Sequence, residues 1–461
     1  MKPLLRALAL TALTLPGFAR AETPSPQPAA GVQQTVLTAE QLRVVMAQDL
    51  AQGRLIEATH KAQALLERTP EDTQALAALG QVSARLGNGP YARGYGLNAF
   101  SAAQSQSDRY TGARLAALGY AMEGRGLRAQ FWLRRAASLA PSDAARAAVA
   151  DDFRVVRAAN PWRFTADFSV TPTNNANNAP VSNRFDFGGL IFRDPTNRPL
   201  PGIEFHGSAS AERRFMLERS RIVASAAIDG TTYALNDTAR DRVPGVRGSD
   251  YARSGLELGL AWERPLELSK GQAIVAPRIT LRRDWSAADL RSDQSELGAT
   301  AFWSPDGQQA LRLDLSHAWE ERYDRPIRSA GIWRTGLGWA GPLGKGRANV
   351  SVHGETWQSQ SATTAHDRVR LSLGYRPDDP VLGFHPTFAL GWDWRKDANA
   401  TYSPKPREDF GLDATISVLV PQIEAYGFAP ELSVSHRDVR SNVTLFEREQ
   451  TRVGITFRSV F

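Results

Sequence analysis

The chain has 461 residues, 42% hydrophobic and 22% charged, with 55 Lys and Arg against 48 Asp and Glu for a formal charge of +7. That length exceeds one ordinary domain. A mean hydropathy of −0.35, with no apolar run near about 18 residues beyond the N-terminus, excludes helical membrane spans but not alternating membrane strands. Zero cysteines exclude disulfides, thiolate zinc sites and cysteine nucleophiles.

Residues 1–21 read as an export signal: Lys2 and Arg6, a short apolar core from Leu8 to Leu15, then Ala19, Arg20 and Ala21 as a small-x-small cleavage site. No Cys follows the apolar core, so the mature chain is not itself a lipoprotein of the usual kind. Removing Lys2, Arg6 and Arg20 lowers the charge to 7 − 3 = +4, too little to argue for a nucleic-acid partner outside the cytoplasm. Residues 22–37, with Pro24, Pro26 and Pro28, read as an extended linker.

Helical periodicity runs over 38–159. Thr38 opens it with Gln41 three residues on, a capping-box spacing. Beneath it lies a repeat: Gly53, Gly87 and Gly124 are each followed five residues later by Ala58, Ala92 and Ala129. Two copies carry a proline seventeen residues after the glycine, Pro70 and Pro141, where a helix must end; the middle copy has Gln104. This pattern resembles tetratricopeptide repeats, which need glycine at a tight turn and alanine where helices cross; an Ala-rich helical bundle is the alternative. Stacked helix pairs expose a groove, so these six Gly and Ala positions mark a candidate cargo-binding groove.

At Asn160 and Pro161 the period changes to two and stays there to the end. About fourteen alternating segments follow, as in a membrane barrel. Leu256, Leu258, Leu260 and Trp262 oppose Glu257 and Glu263; Leu311, Leu313, Leu315 and Trp319 oppose Arg312, Asp314 and Glu320; Phe388, Leu390, Trp392 and Trp394 oppose Asp393 and Arg395. A soluble sandwich would also alternate. Two features favour lipid: aromatics (Trp262, Trp319, Tyr375, Trp392, Trp394) gather towards the ends of apolar faces, and connections alternate between long and short. The long set is 174–202, 232–249, 359–365, 398–406 and 439–447; the short set is 216–218, 304–308, 341–345 and 420–424. Exceptions are 285–289 and 323–326, which are short, and 376–385, which is long. An even strand number puts both barrel ends, and the helical domain, in the periplasm.

In the last strand, Val453, Ile455, Phe457 and Phe461 share an apolar face and oppose Arg448, Gln450, Arg452, Thr456 and Arg458; a strand ending on Phe reads as the closing strand. Segments 162–170 and 453–461 then form a seam that opens sideways, whose strand edges can template addition. The same phase sends Arg278, Arg282, Arg312, Arg334, Arg368, Arg370, Arg395, Arg452 and Arg458 into the lumen, with Glu257, Glu263, Asp314, Glu320, Asp409 and Asp413 among them. These charges either line a polar path or pair and brace the wall. The seven histidines are scattered and no GxSxG, HExxH or phosphate-cradling glycine loop occurs, so no enzyme, metal or cofactor is implied.

The export signal, the repeat region, Asn160, Pro161 and Trp162, the run Asn174, Asn175, Ala176, Asn177, Asn178, and the ending from Ser441 to Phe461 are together similar to the surface lipoprotein assembly modulators (Slam) of Gram-negative bacteria. The resemblance implies a mainly β chain with an α-helical N-terminal domain: an antiparallel 14-stranded transmembrane β-barrel preceded by tetratricopeptide-like helical repeats. It implies a monomeric outer-membrane translocon, inserted by the barrel-assembly machinery, whose partners are outer-membrane lipid and a surface lipoprotein or secreted haem- or metal-scavenging cargo. An exopolysaccharide export barrel and a gated porin are the alternatives.

Overall fold

A computed structural model describes residues 37–187, 190–193, 197–423 and 428–459. The signal and the linker lie almost wholly outside them, as does Phe461. The chain divides into two compact units that meet in sequence between Pro161 and Trp162.

The first unit is a run of helix pairs. Helices α1 (Ala39–Ala51) and α2 (Leu55–Arg68), α3 (Thr73–Arg85) and α4 (Gly89–Ala102), and α5 (Gln106–Met122) and α6 (Gly126–Ser138) form three antiparallel hairpins, followed by α7 (Asp143–Ala159). Thr38 and Gln41 form the expected capping box, each side chain accepting from the other's backbone N–H. Each hairpin turns on a glycine with positive φ: +77° at Gly53, +78° at Gly87 and +72° at Gly124. Side-chain-bearing residues avoid that region, which fixes glycine at these three places. Helix α4 stops without proline because Ser105 caps α5, its Oγ accepting from Asp108 N–H at 3.0 Å. Two apolar clusters hold the unit, one around Met46, Leu65 and Leu79 and one around Leu133, Val149 and Phe153.

The second unit is a closed barrel of fourteen strands. In chain order these are β1 (Trp162–Thr173), β4 (Gly202–Met216), β5 (Arg221–Leu235), β6 (Arg253–Glu267), β7 (Gln272–Ser286), β8 (Asp289–Ser304) and β9 (Ala310–Arg322). They continue with β10 (Ala330–Pro342), β11 (Gly346–Ser359), β12 (His366–Pro377), β13 (His385–Asp397), β14 (Glu408–Leu419), β15 (Phe428–Ser441) and β16 (Arg448–Ser459). Each pairs antiparallel with its neighbours and β16 returns to β1. The first long connection holds a two-stranded hairpin, β2 (Arg184–Phe187) with β3 (Leu190–Arg193), and the second holds a short helix α8 (Asp237–Arg242). Leu200, Leu235, Ala239 and Val243 bury one another and fasten these two loops together.

The pleat sorts the side chains as the period of two requires. Leu258, Leu260, Ile279, Leu281, Leu297, Leu313, Leu315, Leu337, Ile416, Val434 and Val453 are all exposed at 49–58% on the outside. So large an apolar area open to water is untenable for a soluble chain; it is the band that meets hydrocarbon. Trp262, Trp319, Trp333 and Trp394 also face outward and exposed. Every barrel strand has at least twelve residues, enough to cross a bilayer when tilted, for which about 9–11 suffice.

Candidate functional site

The inner wall of the barrel carries most of its ionised groups. All nine lumenal arginines read from the sequence lie there, each beside a carboxylate, Arg395 beside Asp397 at 2.9 Å. Arg312 meets Asp314 at 2.5 Å, Arg334 meets Glu296 at 2.5 Å and Glu355 at 3.6 Å, and Arg368 meets Asp393 at 2.5 Å. Arg370 meets Asp413 at 2.8 Å, Arg452 meets Glu204 at 3.5 Å and Arg458 meets Glu431 at 2.7 Å. Arg278 bridges Glu296 and Asp314, and Arg282 gathers Asp229, Glu257 and Asp284. Several pairs skip a strand: Arg334 on β10 reaches Glu296 on β8, and Arg452 on β16 reaches Glu204 on β4 across β1. Singly, half-exposed pairs are worth about 0–1 kcal/mol; linked from strand to strand they stiffen the wall.

Below the outer loops the balance changes. A cavity of about 660 Å³ is lined by seven arginines against four carboxylates. Arg368 and Arg407 are held by Asp393 and Asp409, but Arg253, Arg437 and Arg448 form no ion pair among the described residues. Arg448 donates instead to backbone carbonyls, from Nε to Asn178 at 2.8 Å and from Nη1 to Leu445 at 2.7 Å. These bonds leave its charge uncompensated. Arg407 lies 3.4 Å from the ring centroid of Phe446, which itself packs edge-on against Tyr402. Period-two phasing puts Arg437 and Arg448 on the inner face; that they lack carboxylate partners is a property of the closed barrel.

The seam differs from every other junction of the barrel. Strands β1 and β16 pair at three positions, Ser169 with Thr456, Val170 with Ile455 and Thr173 with Arg452. Along its opposite edge the same β1 pairs with β4 from Trp162 to Thr173 without a break. Continuing the seam register would put Phe168 opposite Phe457 and Asp167 opposite Arg458, yet pairing ends at Ser169. Over 166–168, where the facing residues Ser459, Arg458 and Phe457 are described, that edge of β1 makes no pair among the described residues. Val453, Ile455 and Phe457 project their side chains outward onto the lipid face, exposed at 53%, 46% and 55%, and of the three Ile455 also pairs across the seam with Val170. Phe461 lies outside the described residues.

The other end of the seam is fastened by the Asn-rich run. Asn175, 1% exposed, donates from Nδ2 to Ala179 O at 2.9 Å and accepts from Ala179 N–H at 2.8 Å. That bend lets Asn174 Oδ1 accept from Thr451 N–H at 3.1 Å. Gln450 Nε2 donates to Thr173 Oγ1 and to Asn175 O, both at 3.0 Å, and Val181 N–H reaches Glu447 O at 3.0 Å. Asn178 takes a positive φ of 51° to offer its carbonyl to Arg448, a conformation that asparagine tolerates better than most residues. The first loop is thus sewn to the start of β16.

The six groove positions of the helical unit resolve differently from the sequence expectation. Ala58, Ala92 and Ala129 are 0% exposed at helix crossings, and Gly53, Gly87 and Gly124 occupy the turns. The alanines set how helices pack, because the smallness that lets helices approach also buries them, whereas the three glycines lie exposed in the turns. Exposed apolar side chains of this unit are Ile56, Leu86, Tyr91, Leu127 and Phe131. Asp49, 2% exposed, lies between Arg54 and Lys61, each at 2.5 Å. Their charges, Lys61 first, hold its carboxyl below the ordinary range.

A closed, even-numbered antiparallel barrel with an apolar outside and an ionised inside is the architecture of bacterial outer-membrane proteins, and by that architecture this chain is one. No family model matches it, and no curated protein matches its sequence. In fold it is similar to solved structures of OccAB4 from Acinetobacter baumannii, at 8% identity over 64% of this chain and 97% of that one, with a TM-score of 0.33. It is similar also to the outer membrane protein OpdK from Pseudomonas aeruginosa, at 9% identity over 64% and 98%, with a TM-score of 0.34. CdiB from Escherichia coli aligns at 10% identity over 63% of each chain, with a TM-score of 0.36. These are likenesses of chain path and carry nothing about substrate or cargo.

Proposed function

We propose that this protein is a translocon that delivers lipoproteins, or related haem- or metal-scavenging proteins, to the bacterial cell surface, its helical domain holding cargo in the periplasm and its barrel providing the route. The observation that carries the reading is the seam: among the described residues β1 and β16 pair at three positions and leave one edge of β1 open over 166–168. An open edge presents unpaired N–H and C=O groups, which a strand of an arriving chain satisfies. A simple diffusion pore has no use for such an edge. The repeat unit runs in sequence straight into Trp162 on β1, and stacked helix pairs are a common peptide-holding surface.

The chain has no cysteine, which makes a direct test clean. Ser169→Cys with Thr456→Cys places a disulfide across the last paired position of the seam. Under oxidation, surface display of cargo in cells should drop to background and return with reductant, while each single variant displays normally. Undiminished display in the oxidised double variant overturns lateral passage. Arrest with full conductance through the lumen would also separate this route from a porin.

A further inference from the structure

Many lumenal arginines stand beside carboxylates, and a group under the outer loops does not. In the cavity under the outer loops, of about 660 Å³, seven arginines face four lining carboxylates, and with Asp397 behind Arg395 the excess is 7 − 5 = 2 positive charges. Arg437 on β15 and Arg253 at the start of β6 have no ion-pair partner among the described residues, and Arg448 is held by carbonyls alone. A closed space walled by low-dielectric protein focuses such a field well beyond what the same charges produce in open water. Guanidinium groups also present planar donor pairs that match oxyanions in geometry as well as charge.

We infer that this cavity is a binding site for a small water-soluble oxyanion carrying two or three charges, of the phosphate or carboxylate type, bridging Arg437, Arg448 and Arg253. Its roof is made by the fastened loops: Asn177 and Tyr251 line it from above the strands, and Phe446 stacks beneath Arg407. An anion there ties β6, β15 and β16 together through charges that otherwise repel. The occupied cavity therefore holds the outer loops over the lumen, and the site is independent of whether cargo passes by the seam.

Purified protein in a zwitterionic detergent at low salt is titrated by calorimetry with pyrophosphate, citrate and chloride. Pyrophosphate or citrate should bind with one site per chain, and chloride should not give a saturable heat. Preference for pyrophosphate over citrate identifies a phosphate ligand, and the reverse identifies a carboxylate. Arg437→Gln and Arg253→Gln should each weaken binding by about tenfold, the loss expected for one charged hydrogen bond. Arg219→Gln, in the turn between β4 and β5, should leave it unchanged. Raising potassium chloride should weaken the wild type more than either cavity variant. Equal weak heats from all three anions, or unchanged affinity in both cavity variants while the barrel still resists unfolding in cold detergent, overturn the inference.

Discussion

Replacing Asn175 with alanine should loosen one end of the seam and leave the rest of the barrel intact. Asn175 is 1% exposed and Ala179 is 3% exposed, so the two hydrogen bonds between them, at 2.9 and 2.8 Å, are made away from water. Alanine removes both and strands the N–H and C=O of Ala179. Each net bond is worth about 1 kcal/mol, and each buried group left unsatisfied costs about 1–3 kcal/mol. Partial rehydration of the loosened bend offsets part of this, leaving roughly 2–4 kcal/mol. The loss falls on the contacts that Asn174, Asn175 and Gln450 make across the seam. Amide hydrogen exchange in detergent reads it directly. At about 1.4 kcal/mol per decade, amides of Gln450, Thr451 and Arg452 should exchange roughly 30- to 1000-fold faster, with β8 and β9 unchanged. Asn177→Ala makes the natural control, since its side chain bonds Arg198 and Leu200 within the first loop. Equal acceleration in both variants, or none at the start of β16 in Asn175→Ala, would refute the claim that this run fastens the seam.

In the helical unit, Gly119→Ala should destabilise. Helix propensity alone would gain about 1 kcal/mol, but the new Cβ would sit 2.4 Å from Arg93 N on α4, and forced overpacking costs about 1–3 kcal/mol. A lower midpoint for loss of the helical circular-dichroism signal supports close approach; a higher one refutes it. Asp49 has its carboxyl lowered in the folded state by Lys61 and Arg54, so it contributes stability above pH 3.8 that disappears as pH falls further through the folded value. Asp49→Asn should be less stable than wild type at neutral pH and converge with it in acid; parallel curves down to pH 2, a range of about two units, would argue against the ion triad. On the barrel, Leu258→Arg puts a charge on the lipid face, 50% exposed there, and should cost roughly 2–4 kcal/mol in folding from urea into lipid vesicles. Glu257→Gln, one residue along on the inner wall, should cost under about 1 kcal/mol. Similar penalties for the two would mean the faces are assigned the wrong way round.

The barrel was legible because a strand reports its two faces every second residue. Arg312 and Leu313 need no tertiary knowledge to be sent to opposite sides, and the ionised phase of β9, β12 and β16 followed from that alone. What period two leaves open is who stands opposite whom. Arg452 meets Glu204 only because the ring closes β16 onto β1 and so brings β4 within reach. For the same reason the unpaired charges of Arg253, Arg437 and Arg448 were out of view. The helical turns at Gly53, Gly87 and Gly124 were readable as glycine positions, but the function given to the alanines after them was not, since smallness marks a crossing and a crossing is buried. Gln104 in place of proline looked like a defect of the middle repeat; Ser105 supplies the stop by capping the next helix. The hairpin β2–β3 and helix α8 sit in loops whose short local pattern gives no periodic signal.

The two ends of the seam stand in a definite energetic relation. On β1, about half the backbone groups over 166–168 aim away from β4, towards the edge where pairing among the described residues has ended. In hydrocarbon each such group costs several kcal/mol, and a handful would match the whole net stability of a domain, about 5–15 kcal/mol. That edge is therefore tolerable only where water, headgroups or another strand reaches it. A barrel with nothing else holding β16 to β1 would relax by parting along its full length. The Asn-rich run prevents this by fixing the first loop to Glu447, Gln450 and Thr451, and the Arg452 to Glu204 pair straps β16 over β1 to β4. On the proposed lateral route, opening would start at the Trp162 end and pivot near Thr173, and what enters the gap would need to bring its own N–H and C=O groups. An extended polypeptide does so; a folded globule, a glycan or a metabolite does not.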